Sequence, residues 1–247
     1  MALTDRTLTG IPGLDELLHG GIPRGRVVLI VGGPGTGKTI LCAQFLVNGI
    51  QKHGENGVLV SLDESKSHVY SEMAKFGWNL AELETEKKLA FVDASPIRRL
   101  PGEVKIGKLT LGKREFSMMS LIEGIQRAVE MVKAKRVAVD PIASLLFQYP
   151  DIIQRRTAIL DLVETLVNTE ATCLLTTELR AVGLERSVQL EEYLAHGVII
   201  LQTLQVGKFL TRILQIEKMR ETPIDTQPRP YKITESGIEV YSKESIF

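Results

Sequence analysis

Cysteine is nearly missing, since Cys42 and Cys173 are the only two in 247 residues. So sparse a pair excludes a disulfide scaffold. With one in a helix-forming stretch and the other in an apolar run, both are expected to be inert core thiols in a reducing, cytoplasmic setting. Long hydrophobic runs are missing too. No segment approaches the roughly 18 to 20 uninterrupted apolar residues of a membrane span, so no membrane is expected as partner. The opening Met1-Ala2-Leu3-Thr4-Asp5-Arg6 lacks the apolar core of a secretion signal. An excess of one charge sign is likewise absent: 30 Lys and Arg balance 30 Asp and Glu. That balance removes the broad positive field of a general nucleic-acid binder. No low-complexity stretch or Pro/Gly linker divides the chain, so one domain over residues 1–247 is expected. The remaining composition, 44% hydrophobic and 24% charged, is that of a soluble globular protein.

What is present is concentrated in eight residues, Gly32-Gly33-Pro34-Gly35-Thr36-Gly37-Lys38-Thr39, which fit Gly-x-x-x-x-Gly-Lys-Thr. The apolar run 27–31 precedes them and a helix-forming run from Ile40 follows, which is the strand, loop and helix setting of a phosphate loop. A triphosphate must be wrapped by backbone N–H groups, and residues without a Cβ let the chain curl that closely. Gly32, Gly35 and Gly37 supply the room. The following helix start adds unpaired amides and a positive dipole end, which places the α and β phosphates over residues 37–40. Lys38 is expected to reach the β and γ phosphates, and Thr39 to offer its hydroxyl to Mg²⁺.

Around the loop, short apolar runs at 58–62, 89–92, 137–139 and 173–177 alternate with helix-period segments. This is the rhythm of an α/β fold with a mostly parallel twisted sheet and helices on both faces. The clearest helix is 120–134, where Leu121, Ile122, Ile125, Ala128, Val129 and Val132 share a face; residues 155–168 repeat the pattern. After residue 196 the spacing changes to antiparallel hairpins, with strands at 198–203 and 209–216 about a turn at 205–208, then 231–233 and 238–240; residues 223–230 read as a surface loop.

Two strand ends carry acids. The run 136–140 ends in Asp140, where phosphate-loop proteins place the carboxylate that orients magnesium. The run 58–62 ends in Asp63 and Glu64, and C-terminal strand ends line the ligand crevice of a parallel sheet. Either acid could align and deprotonate a water attacking the γ-phosphate, with Glu64 favoured. The alternative is that they, with Ser65 or Ser67, cap the helix that starts near Ser67.

The opening Thr9-Gly10-Ile11-Pro12-Gly13-Leu14-Asp15-Glu16-Leu17-Leu18-His19-Gly20-Gly21-Ile22-Pro23-Arg24-Gly25, running into the phosphate loop, resembles the KaiC branch of the RecA/RadA superfamily of ATPases. Asp63-Glu64 resembles that family's paired catalytic glutamates, residues 137–145 its Walker B strand, and residues 233–241 its closing hairpin. The resemblance implies a RecA-like P-loop core, ATP with Mg²⁺, hydrolysis, and a homohexameric ring with nucleotide between subunits. It further implies that Lys218 and Arg220, its Lys-x-Arg element, face the neighbouring subunit's γ-phosphate, and that Thr177 senses that phosphate at a polar strand end. The acid pair here is Asp-Glu in place of Glu-Glu, and Glu221-Thr222-Pro223-Ile224-Asp225 replaces the family's usual continuation after Lys-x-Arg. With a single such domain, no clock role or autokinase activity carries over.

Two rivals remain. A DNA-handling recombinase would need cationic channel loops, for which the stretches are 96–117 (Arg98, Arg99, Lys105, Lys108, Lys113, Arg114) and 180–192 (Arg180, Arg186). Neither has interleaved aromatics for stacking bases, so nucleic acid is not the favoured partner. The other rival is a nucleotide-gated scaffold for an unknown protein client, separated from an active ATPase by its slow turnover.

Overall fold

The computed structural model describes residues 5–94, 105–106, 109–110, 118–149, 151–179, 181–182 and 185–245. A nine-stranded sheet organises them. In chain order its strands are β1 (Val27–Gly32), β2 (Gly57–Ser61), β3 (Leu89–Asp93), β4 (Arg136–Asp140), β5 (Thr172–Glu178), β6 (Gly197–Val206), β7 (Phe209–Met219), β8 (Arg229–Thr234) and β9 (Gly237–Val240). Their spatial order is β9-β8-β7-β6-β1-β5-β4-β2-β3. The six strands from β6 to β3 pair in parallel, and β7, β8 and β9 extend the sheet antiparallel from β6. From the phosphate loop onward the helices are α1 (Lys38–His53), α2 (Lys66–Ala74), α3 (Leu80–Thr85), α4 (Met118–Val132), α5 (Ala143–Leu146), α6 (Ile152–Asn168) and α7 (Leu190–Leu194) among the described residues.

Alternation along the strands divides the core in two. Val28, Ile30, Leu59, Ala138, Leu174, Ile199 and Leu201 pack toward α1, the N-terminal segment and the closing hairpin. Their strand neighbours Val27, Leu29, Val58, Val137, Leu175 and Ile200 pack toward α4 and α6. Both faces are covered, so the central strands read as continuous apolar runs rather than alternating ones. Cys42 and Cys173 fall in these two layers as free, fully buried thiols, and burial pushes both above the usual thiol range.

Several element bounds differ from expectation by small, explicable amounts. The helices expected at 120–134 and 155–168 run Met118–Val132 and Ile152–Asn168, the second started by the Asp151 carboxylate, which accepts from the backbone N–H of Ile153 and Gln154. The β6–β7 hairpin pairs through Val206 and Phe209, so its turn is only Gly207–Lys208, with Gly207 at φ 61°. The loop expected at 223–230 ends earlier, because Arg229 and Pro230 already pair with Leu214 and Ile213.

At the end of the sheet away from the phosphate loop, Arg136 is a fully buried cation. Its guanidinium donates to Glu55 Oε2 (2.8 Å) and to the Phe45 carbonyl (2.9 Å), and lies 4.6 Å from the Phe45 ring centroid. Glu55 also accepts from Arg24, which ties β4, α1 and the connection before β2 to the segment before β1. Removing one partner of a buried pair strands the other charge, so Arg136→Met is expected to cost about 3 kcal/mol or more, read by urea unfolding. A loss under about 1 kcal/mol would place the pair among ordinary surface bridges.

Candidate functional site

The phosphate loop leaves β1 at Gly32, where the strand order turns from one side of the sheet to the other. Gly32 must be glycine on packing grounds: a Cβ there would lie 2.6 Å from Thr36 Oγ1 and 3.1 Å from the Leu201 carbonyl. Gly37, the residue before α1, takes φ 90°, and a Cβ would meet Ile233 Cδ1 at 3.0 Å. Pro34 and Gly35 form the exposed crest, while Thr36 is buried and bonds its hydroxyl back to the Gly33 carbonyl at 2.8 Å. Lys38 Nζ lies over this arch, donating to the carbonyls of Gly32 (2.8 Å) and Gly33 (3.1 Å). Burial lowers its pKa, against the opposing pull of Asp140 and Glu178.

The closing hairpin holds the loop from outside. Tyr231 donates its hydroxyl to the Thr36 carbonyl at 2.6 Å, and Gln44 on α1 bonds both the N–H (2.6 Å) and the carbonyl (3.0 Å) of Ile238. Beside it, Thr203, Leu210, Arg212, Tyr231, Lys232 and Tyr241 line a groove of about 510 Å³.

Asp140 reaches the loop from β4. Its Oδ2 accepts from Thr39 Oγ1 at 2.6 Å, and its Oδ1 accepts from the Thr176 hydroxyl. Burial raises the Asp140 pKa, opposed by these two hydroxyls and by Lys38. A hydroxyl and a carboxylate in contact beside a glycine cradle are hard oxygen donors suited to a divalent cation carried by phosphates, so the residues present fit Mg²⁺. Thr176 was not among the expected site residues. Thr177, expected to face the phosphate, lies on the opposite face of β5, with its hydroxyl 3.0 Å from Glu191 Oε1 and only 1% exposure. In this structure the strand end meets the Asp140 cluster through Thr176.

Asp63 and Glu64 follow β2 on the same edge. Ser61 Oγ donates to the Glu64 carbonyl (2.7 Å) and accepts from the Glu64 N–H (3.2 Å), fixing the turn. Asp63 accepts from Ser144 on α5, and the N-cap of α2 is Ser65. Glu64 Oε2 is closed to solvent and has no hydrogen-bond partner among the described residues, although His68 Nδ1 stands 3.3 Å away without hydrogen-bond alignment. Burial, then Glu72, raises the Glu64 pKa; His68 lowers it, and Asp140 and Asp63 raise it further. Glu64, His68 and Glu72 also bring ligand atoms within 4.8 Å of one another, but the imidazole turns one nitrogen to each carboxylate.

Lys218 and Arg220 sit elsewhere. Lys218 pairs with Val198, Val198 with Leu29, and Met219 lies level with Val28, whereas the loop begins at Gly32. Arg220 therefore lies about 13 Å or more back along the sheet from its own phosphate loop, at about 3.3 Å per residue. Its side chain is exposed and forms no ion pair with a described residue. The basic stretch 96–117 falls outside the described residues apart from the backbone pairing of Lys105–Ile106 with Leu109–Thr110. In the second stretch, Arg180 is likewise outside them. Arg186 is held by Glu192 (2.8 Å) and Glu217 (3.3 Å), and residues 190–194 form a helix rather than a loop.

A phosphate loop at the switch of this sheet, faced by an acid from the strand two places away, defines a RecA-fold P-loop protein. The chain belongs to the KaiC ATPase family, whose model matches residues 7–245. It is 38% identical to a UPF0273 protein of Aeropyrum pernix, over 97% of this chain and 94% of that one. It is 36% identical to the circadian clock oscillator protein KaiC of Nostoc, over 96% of this chain but 44% of that protein, so it spans under half the clock protein's length. The crystal structure of a KaiC-like protein from Pyrococcus horikoshii superposes with a TM-score of 0.82 at 36% identity, covering 97% of this chain and all of that one. Among the described residues no helix is long and apolar enough to cross a membrane.

Proposed function

We propose that this chain is a Mg²⁺-dependent ATPase that binds ATP at residues 32–40 and hydrolyses it between copies of itself in a cytoplasmic, homohexameric ring. The observation that carries the reading is the separation of Arg220 from its own phosphate loop. An exposed cation at the far end of the sheet can meet a γ-phosphate only if another copy presents one.

In this reading the amides from Gly33 to Ile40 cradle the phosphates and Lys38 turns from its carbonyls onto the β and γ oxygens. Thr39 and Asp140 would hold Mg²⁺, which neutralises phosphate charge when bound. Glu64 orients a water and takes its proton as the oxygen attacks phosphorus; the bond to the bridging oxygen breaks, leaving ADP and phosphate. Arg220 of a neighbour stabilises charge on the transferred phosphoryl. The groove beside Tyr231 is the adjacent space for the nucleoside. The test is light scattering with and without ATP and Mg²⁺, alongside phosphate release. A six-fold rise in mass coupled to turnover is expected; full-rate hydrolysis by a monomer would sink the ring reading.

A further inference from the structure

Glu64 has a firmly held backbone and a loosely held carboxylate. Its N–H lies just before the Cα and its carbonyl just after, and both are bonded to one side chain: Ser61 Oγ accepts from the N–H at 3.2 Å and donates to the carbonyl at 2.7 Å. A hydroxyl offers one O–H and two lone pairs, so a single serine can hold both groups. Fixing the chain on either side of a Cα fixes the direction in which its Cβ leaves. Farther out the hold weakens: Glu64 Oε2 has no hydrogen-bond partner among the described residues, and His68, which stands beside it, is itself exposed. The aim of the carboxylate is therefore inherited from the turn.

The serine is a rigid post for that turn. Ser61 is 4% exposed and ends β2, level with Asp93 of β3 and Asp140 of β4. Its carbonyl accepts from the Ala94 N–H at 2.8 Å, and the next residue, Leu62, donates its N–H to the Asp140 carbonyl at 2.9 Å. Asp140 in turn meets Thr39 at 2.6 Å. One run of bonds thus leads from the phosphate loop through Asp140 and the end of β2 to Glu64. Helix capping does not account for the serine, because α2 has its N-cap at Ser65 and Glu64 lies ahead of it.

We propose that Ser61 is the positioning residue of the candidate base: through both backbone groups of Glu64 it sets where the carboxylate stands relative to Asp140 and Thr39, and hence to the attacking water. The inference rests on the reading of Glu64 as general base and goes beyond it by naming what holds that base in place.

The experiment follows phosphate release by the full chain against ATP and Mg²⁺ concentration. Ser61→Ala removes both bonds and leaves the phosphate loop and the Asp140 side chain untouched. It is expected to lower kcat about 10- to 100-fold, the scale of a small misplacement, with KM for ATP and the Mg²⁺ requirement unchanged. Ser61→Thr keeps the hydroxyl in a strand position that suits a β-branched residue and should retain most of the rate. Adding Ser61→Ala to Glu64→Gln should cost little beyond Glu64→Gln alone, because the serine acts only through a carboxylate that is already gone.

Full activity in Ser61→Ala, or a Ser61→Thr protein as slow as Ser61→Ala, overturns the proposal. So does a loss of kcat matched by weaker ATP or Mg²⁺ binding, which would place the effect at Asp140. Losses that multiply in the double variant would place it in the fold at large and overturn the proposal too. Glu64→Gln at the parent rate would instead overturn the general-base reading, and this inference with it.

Discussion

Arg220→Ala is expected to lower kcat for ATP hydrolysis by about 10³-fold or more, the scale of a lost arginine finger, while ATP still binds. Affinity should survive because the cradle, Lys38 and Asp140 all lie at the other end of the sheet from Arg220. The substitution is also structurally mild, since the Arg220 side chain is exposed and the contact that fixes its backbone, N–H to the His196 carbonyl, does not depend on it. Arg220→Lys should recover only part of the rate, because a point charge replaces a planar fork. Mixing Arg220→Ala with Lys38→Ala in equal amounts should return activity to about a quarter of the sites, since a heterologous ring interface needs one parent on each side. Phosphate release with bound nucleotide measured in parallel decides the matter. A loss of ATP affinity equal to the loss of kcat, or the absence of rescue in folded, co-assembled mixtures, would count against a role in trans.

The parts of this site that were legible in the sequence are those that phosphate chemistry forces to be contiguous. The glycines, Lys38 and Thr39 must follow one another between a strand and a helix, and the structure sets them there, between β1 and α1. Asp140 and Glu64 were legible because an apolar run that stops at an acid marks a strand end, and parallel strands bring those ends to one edge. The choice between Thr176 and Thr177 was not. In β5 both faces are buried, Leu174 against one layer and Leu175 against the other, so polarity does not alternate along the strand to reveal its facing. The register against Ala138, which precedes Asp140 by two, supplies it. Tyr231 and Gln44 were illegible for a different reason: each acts across 194 or 195 residues of chain, a partnership that no local pattern carries. Nor could spacing in Lys218-Met219-Arg220 show that one cation is bound to helix carbonyls and the other is exposed.

Glu64→Gln should lower kcat by about 10² to 10⁴-fold, the range for a lost general base, with ATP binding retained. Asp63→Asn should cost less, because the Asp63 carboxylate already receives the Ser144 hydroxyl, whereas a Glu64 oxygen lacks a hydrogen-bond partner among the described residues. The pH profile gives the sharper criterion. A base works ionised, so activity falls as pH drops through its pKa, and burial raises the Glu64 pKa. The acid limb of kcat/KM is therefore expected above the ordinary glutamate value of about 4.3. Glu72 raises that pKa and His68 lowers it, so Glu72→Gln should move the limb to lower pH and His68→Asn to higher pH. Comparing variants cancels the titration of ATP itself. Stability should respond with the opposite sign to activity. A carboxylate whose folded pKa lies above its unfolded one costs stability once ionised, so Glu64→Gln should leave Tm at neutral pH equal or higher. That difference should vanish below about pH 4, where glutamate is protonated in both states. Limbs that stay fixed in both neighbour variants, or a Glu64→Gln protein that loses Tm along with activity, would assign Glu64 to structure and leave the water to another base.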